Sequence, residues 1–167
     1  MCEKHDLFGF QSNVNGGMAE YMRFPHESLK HRVPDNMPLE KALLIEPFAC
    51  SKRAVDRADP GNEDFVVLAG AGTLGLGMVG ALRKRNPAVL VVLDMNDRRL
   101  AKAKEFGADV VMNPGREDAV RRVKDLTGGY GCDIYIEATG HPSSVTQGLD
   151  MIRKMGRFVE FSVFSEP

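Results

Sequence analysis

No sign of charge dominates this chain. Its 22 Lys and Arg nearly balance its 23 Asp and Glu, so it carries no broad field of the kind that draws nucleic acid or an anionic membrane. It is also poor in cysteine: Cys2, Cys50 and Cys132 are the only three in 167 residues. An odd number spaced so widely excludes a disulfide framework and suits a reducing cytoplasm. The opening MCEKHDLFGF is charged early and has no apolar centre, so it does not read as a secretory signal. Internal repeats and low-complexity tracts are absent. What is there, 43% hydrophobic and 27% charged residues, is ordinary for a globular protein. The length predicts one domain, or one domain and a piece of another.

The one long uncharged run is Phe65 to Leu82, long enough to raise the question of a membrane span. Its glycines at 70, 72, 75, 77 and 80 argue against a continuous helix, each costing about 1 kcal/mol relative to alanine. Its first residues, FVVL, are β-branched and aromatic and suit a buried strand. A strand, a turn and a helix explain the run better than a span.

From there a pattern repeats. Apolar strands are predicted at 65–69, 88–94, 109–113, 132–138 and 157–164, and helices at 74–85, 97–106, 117–127 and 142–155. The third helix places Val120, Val123 and Leu126 on one face, and the fourth Val145, Leu149 and Ile152. Gly107 sits where a left-handed cap is wanted, and Pro142 opens the last helix. Strands alternating with helices predict an α/β fold: a doubly wound parallel Rossmann sheet of about five strands, covered on both faces, with right-handed crossovers. Before it, the Pro- and Gly-broken GGMAEYMRFPHESLKHRVPDNMP reads as irregular β structure. PLEKALLIEPFACSKRAVDRADP reads as one or two helices interrupted at Glu46-Pro47.

Gly70-x-Gly72-x-x-Gly75 follows the first strand and opens the first crossover helix, the context in which such a loop cradles a pyrophosphate. Gly70 permits the turn, Gly72 a close approach of backbone to phosphate, and Gly75 close packing of helix on strand. The helix start supplies free N–H groups and a favourable dipole. At the end of the second strand, in VVLDMND, Asp94 is placed to bind a ribose diol and to repel a 2′-phosphate, favouring NAD over NADP. Arg98 and Arg99 argue mildly the other way. Two alternatives stay open at this point: a glycine turn used only for packing, and an S-adenosylmethionine methyltransferase, in which an acid also holds a ribose.

Several motifs together carry a family resemblance: GGMAEYMRFP (16–25), LLIEPFACSKRAV (43–55), LAGAGTLG (68–75), LDMNDRRLAKAKEFGAD (93–109) and DIYIEATG (133–140). On these the chain resembles the zinc-type medium-chain dehydrogenases, in the branch of polyol and secondary-alcohol enzymes. The resemblance implies a C-terminal remnant of a GroES-like catalytic domain at 1–45. It implies an NAD-binding Rossmann domain at 46–167 that lacks its last strand and closing helices. It implies hydride transfer from a small alcohol or polyol to NAD, with a catalytic zinc as Lewis acid, in a homodimer or homotetramer. Glu46 matches an acidic residue that ligates the zinc or holds its water. Gly70, Gly72, Thr73, Leu74 and Gly75 match the pyrophosphate loop, and Asp94 and Arg99 the adenosine contacts. Thr139, Ser162, Val163 and Phe164 match residues bordering the nicotinamide half. Cys2 resembles the last of four structural-zinc cysteines, and one cysteine cannot make a tetrahedral site.

The departures bear on function. The family's catalytic cysteine and Gly-His-Glu motif are absent from this sequence, and His5, His26, His31 and His141 read as surface or turn histidines. Without the resemblance, Glu46 would read as a helix N-terminal acid stabilised by the dipole. Cys50 and Cys132 read as small buried hydrophobes. The basic groups Arg83–Arg85 and Arg121, Arg122, Lys124 read as a solvated helix end and face. The expectation is a fragment that binds cofactor without turning over substrate. The competing class is a non-catalytic dinucleotide-binding module or redox sensor.

Overall fold

The computed structural model describes residues 7–10 and 15–164. They belong to two compact units, one ending at Met37 and the other beginning at Pro38. The described residues of the first unit form turns and bends and no strand. A strand must hand its N–H and C=O groups to a neighbour, and among these residues no second segment does so. The expected irregular β structure is therefore irregular only. Among its described residues, Phe8 meets Phe24 edge-on at 5.6 Å.

The second unit opens with helices α1 (Leu39–Ala42) and α2 (Ile45–Ala58). The break between them lies at Leu43–Leu44 and not at Glu46-Pro47. Pro47 falls in the first turn of α2, where its missing N–H costs nothing. Then follow β1 (Phe65–Ala69), α3 (Thr73–Arg85), β2 (Val89–Leu93), α4 (Asp97–Glu105), β3 (Val110–Met112), α5 (Ala119–Leu126), β4 (Cys132–Glu137), α6 (Pro142–Met151) and β5 (Ile152–Glu160). The five strands form one sheet, ordered β3-β2-β1-β4-β5, and every pair is parallel. The uncharged run of the sequence is thus β1, a turn and most of α3, and no helix among the described residues is long and apolar enough to cross a membrane.

Alternate residues of each strand feed opposite faces of the sheet. Val66 and Leu68 of β1, Leu90 and Val92 of β2, and Ile134 and Ile136 of β4 pack with Val55, Met78 and Leu82 of α2 and α3. Val67, Val91 and Tyr135 pack on the other face with Val123 and Met151. Both faces being covered explains why β1 and β2 read as continuous apolar runs rather than alternating ones.

Two details of the C-terminal part differ from the sequence reading. The last helix ends at Met151 rather than 155, and the last strand spans 152–160 rather than 157–164. Ile152 is extended and pairs with Cys132. The chain then bulges through Met155 at φ +64° before Arg157 rejoins the ladder opposite Ile134. Hydrogen bonds to β4 outweigh helical spacing here. The buried face of α6 is Ser144, Gly148 and Met151, while Leu149 is 60% exposed. The Tyr135 ring occupies the space that a Cβ on Gly148 would need, so the helix lays its small residues on the sheet. In α5 the buried residues are Ala119 and Val123, and Leu126 is exposed.

Candidate functional site

The chain leaves β1 through Gly70, whose φ of +102° and close approach to Ala138 exclude any side chain; a Cβ there would lie 2.7 Å from the Ala138 carbonyl oxygen. Gly75, in the first turn of α3, packs directly on the Gly70 carbonyl, which a Cβ would overlap. Gly72 differs: a Cβ built on it would meet nothing within 4 Å. Packing does not require glycine there; access does. No side chain caps the start of α3, which leaves the first amides of that helix for another acceptor.

β1 lies between β2 and β4, so the connections leave it in opposite directions. A crevice opens at the strand ends of such a switch point. Here it is a cleft of about 440 Å³. Asp94 stands in it at the end of β2, its side chain 9% exposed. One carboxylate oxygen accepts the Ala71 amide and the other the Asn96 amide, each at 2.8 Å. An Arg99 guanidinium nitrogen lies 3.9 Å away. The carboxylate thus ties the glycine loop to the start of α4, and both its oxygens keep lone pairs for further donors.

At the end of β4, Glu137 is fully buried. Its carboxylate accepts the Thr139 amide at 2.8 Å, the Thr139 hydroxyl, and the Gly140 amide at 3.2 Å. Burial alone would raise this carboxyl, but hydrogen bonds from Ser162, Thr139 and Gly140 outweigh it and hold the group below the usual carboxylate range. Its register neighbour Glu160 is pushed up, by burial and by the charge and hydrogen bond of Glu137. Together these fix the turn that carries Thr139.

Of the residues expected from sequence, Gly70, Gly72, Asp94, Arg99 and Thr139 line this cleft. Thr73 and Leu74 begin α3 beside it; the Leu74 carbonyl accepts the Ser51 hydroxyl at 2.8 Å. Ser162 and Val163 sit behind the Thr139 turn: the Ser162 amide donates to Glu160 at 2.8 Å, and the Val163 carbonyl lies 2.9 Å from a Cβ placed on Gly140. Neither they nor the half-buried Phe164 lines the cleft. Sequence reasoning missed Met95, Pro114, Gly115, His141 and Ser144, all of which do. His141 caps α6, its Nδ1 accepting the Ser143 amide at 3.3 Å. The Gly-His-Pro order, with Pro at the first helical position, was the available signal.

Glu46 lies elsewhere, exposed in the first turn of α2. Its carboxylate accepts the Cys50 thiol at 3.1 Å, and that hydrogen bond, burial and the Glu46 charge raise the Cys50 pKa. Both residues line a second cleft, of about 430 Å³, with Arg53, Arg57 and Glu160. Two donors do not make a zinc site, and among the described residues no group of three or more His, Cys, Asp or Glu could hold a metal ion. Cys2 lies outside the described residues. Cys132 is buried, as expected, its pKa pushed up to about 12 by burial; Cys50 is half-buried.

A doubly wound parallel sheet, a glycine turn into a helix and an acid at the next strand end define a Rossmann-type domain. Residues 73–167 match the family model of the zinc-binding dehydrogenases, and the chain belongs to that family. It is 48% identical to the erythritol/L-threitol dehydrogenase of Mycolicibacterium smegmatis, over 98% of this chain and 45% of that protein. To the sorbitol dehydrogenase of Halalkalibacterium halodurans it is 32% identical, over 95% of this chain and 46% of that one. The zinc-dependent alcohol dehydrogenase 2 structure from Streptococcus pneumonia, in its apo form, superposes with a TM-score of 0.83 at 28% identity. That match covers 93% of this chain and 45% of the other. The chain thus spans about half the length of the curated relatives it matches.

Proposed function

We propose that this chain binds NAD and supplies the cofactor-holding half of a dehydrogenase that oxidises a secondary hydroxyl of a small alcohol or polyol. Residues 46–167 form its cofactor domain in this reading, and 1–45 belong to a catalytic domain. The observation that carries it is the pairing of an open Gly72 with the Asp94 carboxylate across one cleft. The pyrophosphate is held by amides at the start of α3, around Gly72, Thr73 and Leu74. Asp94 accepts the two hydroxyls of the adenine ribose on its remaining lone pairs, and disfavours a 2′-phosphate by charge. Arg99 flanks the adenosine. Thr139, fixed by Glu137, borders the path toward the nicotinamide half, with Ser162, Val163 and Phe164 behind it. When bound, NAD supplies the hydride acceptor: the alcohol carbon loses a hydride, its hydroxyl loses a proton, and a ketone results. Glu46 with Cys50 falls short of a zinc-binding set.

The test is calorimetric titration of the folded chain with NAD and NADP, followed by NADH absorbance with a polyol panel with and without added zinc. NAD binding stronger than NADP binding, with no turnover, is the expected result. Failure of either dinucleotide to bind sinks the proposal, and clear turnover sinks the division of labour.

A further inference from the structure

The buried face of α2 carries Ala54, Val55 and Ala58 and one polar residue, Ser51, which is 1% exposed. Packing alone would be served by alanine at 51, as it is at 54 and 58. A hydroxyl shut away from water must find an acceptor. Ser51 has two: its Oγ lies 2.9 Å from the Pro47 carbonyl oxygen and 2.8 Å from that of Leu74. The first is the bond that a helical serine makes to its own preceding turn. The second is not local. It crosses from α2 to the first turn of α3, and Gly77 makes room for the crossing. A Cβ on Gly77 would lie 2.6 Å from the Ser51 Oγ and 2.9 Å from the Phe48 ring. Gly77 lies inside α3 and has no part in the glycine turn, so the close approach of the two helices is what requires it.

The carbonyl that Ser51 reaches shares a peptide unit with an amide at the start of α3: the Leu74 C=O and the Gly75 N–H are its two ends. The helical ladder of α3 begins with the Leu76 amide on the Gly72 carbonyl at 2.8 Å. The Gly75 amide precedes it, among those that a helix start leaves for an outside acceptor. A donor on a carbonyl polarises its peptide and makes the N–H at the other end a stronger donor, such bonds reinforcing one another by about 10–30% each. We propose that Ser51 is a positioning residue for the start of α3, fixing the Leu74–Gly75 peptide against α2 and strengthening the Gly75 N–H toward a bound pyrophosphate. Ser51 does not line the cleft and acts through the backbone alone. The proposal rests on the dinucleotide reading of the cleft and adds to it a residue from a helix outside the strand, turn and helix that form the glycine loop.

The experiment titrates the full chain with inorganic pyrophosphate, adenosine and NAD, each followed by NMR, in the wild type and in Ser51→Ala. Adenosine carries no phosphate and pyrophosphate carries nothing else, so the two report separately on the α3 amides and on Asp94. In Ser51→Ala the pyrophosphate and NAD affinities fall about fivefold or more, while the adenosine affinity stays within about twofold. The Gly75 amide proton of the ligand-free variant moves upfield, the signature of a less polarised peptide. Equal weakening of all three ligands, or an unchanged pyrophosphate-to-adenosine ratio, overturns the proposal, since a purely structural role would not separate them. Gly77→Ala, which keeps Ser51 but wedges a Cβ against its hydroxyl, must shift the ratio in the same direction. Where one of the two variants fails to fold, the other decides. If NAD does not bind the wild type, the dinucleotide reading falls and the role of Ser51 with it; if NAD binds and the ratio is unchanged, the role of Ser51 alone is refuted.

Discussion

The Asp94 carboxylate accepts the backbone amide of Ala71 at 2.8 Å, joining the end of β2 to the glycine turn that leaves β1. The acid proposed to hold the ribose is therefore also a strut of the glycine loop proposed to hold the pyrophosphate. A ligand contact made by Asp94 is coupled to the shape of that loop.

Replacing it acts on both. Asp94→Ala leaves the buried Ala71 amide and the Asn96 amide without their acceptor, at a cost of about 2 kcal/mol. NAD affinity falls by about tenfold or more, and the preference for NAD over NADP narrows. Urea unfolding and paired titrations with the two dinucleotides measure these effects. A variant that keeps both its stability and its discrimination contradicts the assignment.

The glycines separate packing from binding. Gly75→Ala drives a Cβ into the Gly70 carbonyl and destabilises the chain by about 1–3 kcal/mol. Gly72→Ala meets no neighbour within 4 Å, at a φ of −70°, so its unfolding midpoint matches the wild type. Its NAD affinity nevertheless drops about tenfold or more, because the added methyl stands where the phosphates approach. If Gly72→Ala binds normally, the loop is a packing turn only.

Glu137 and Glu160 give opposite pH signatures. The Glu137 carboxyl is lowered in the folded state, so its stabilising effect is complete above the unfolded value and disappears as pH falls through the folded one. Against Glu137→Gln, the wild type therefore loses its advantage on acidification below the ordinary glutamate range. Glu160 is raised; its favourable effect exists below the unfolded value and is lost as pH rises through the folded one. Glu160→Gln thus gains on the wild type as pH rises toward neutrality. Denaturant titrations of the three proteins across pH 3 to 7 (on the order of five points) read both slopes.

Cys132 is buried with a thiol pushed up to about 12, so it holds almost no thiolate at neutral pH. In the native chain it resists Ellman's reagent, and it reacts only after unfolding. Peptide mapping of the labelled protein identifies the site; prompt native labelling of Cys132 would contradict its place in the core.

Much of the fold was legible because local and global preferences agree. FVVLA and AVLVVL are apolar at every position, since a central parallel strand is buried on both faces. The glycine loop was legible for the same reason: Gly70 and Gly75 answer backbone needs that a neighbouring strand or helix imposes, while Gly72 stands clear of its neighbours. The end of the cleft beyond Asp94 was not. Asn113 and Gly115 look like ordinary turn residues, and only the pairing of β2 with β3 brings them beside Met95. Ser144 and Gly148 escaped a search for apolar spacing because the large partner in that contact, Tyr135, belongs to the sheet.

What the sequence determined alone was whatever depends on near neighbours in the chain: strand and helix alternation, the turn at Gly70, the acid at the end of β2. Tertiary structure decided the rest. It chose Met151 as the last residue of α6, because Ile152 gains a partner in Cys132 that no local preference could foresee. It also gathered Asp94, Asn113, Thr139 and His141 around one cleft. Hydrogen bonding and close packing between strands remote in sequence are satisfied only when the whole sheet has assembled, and that assembly places the site.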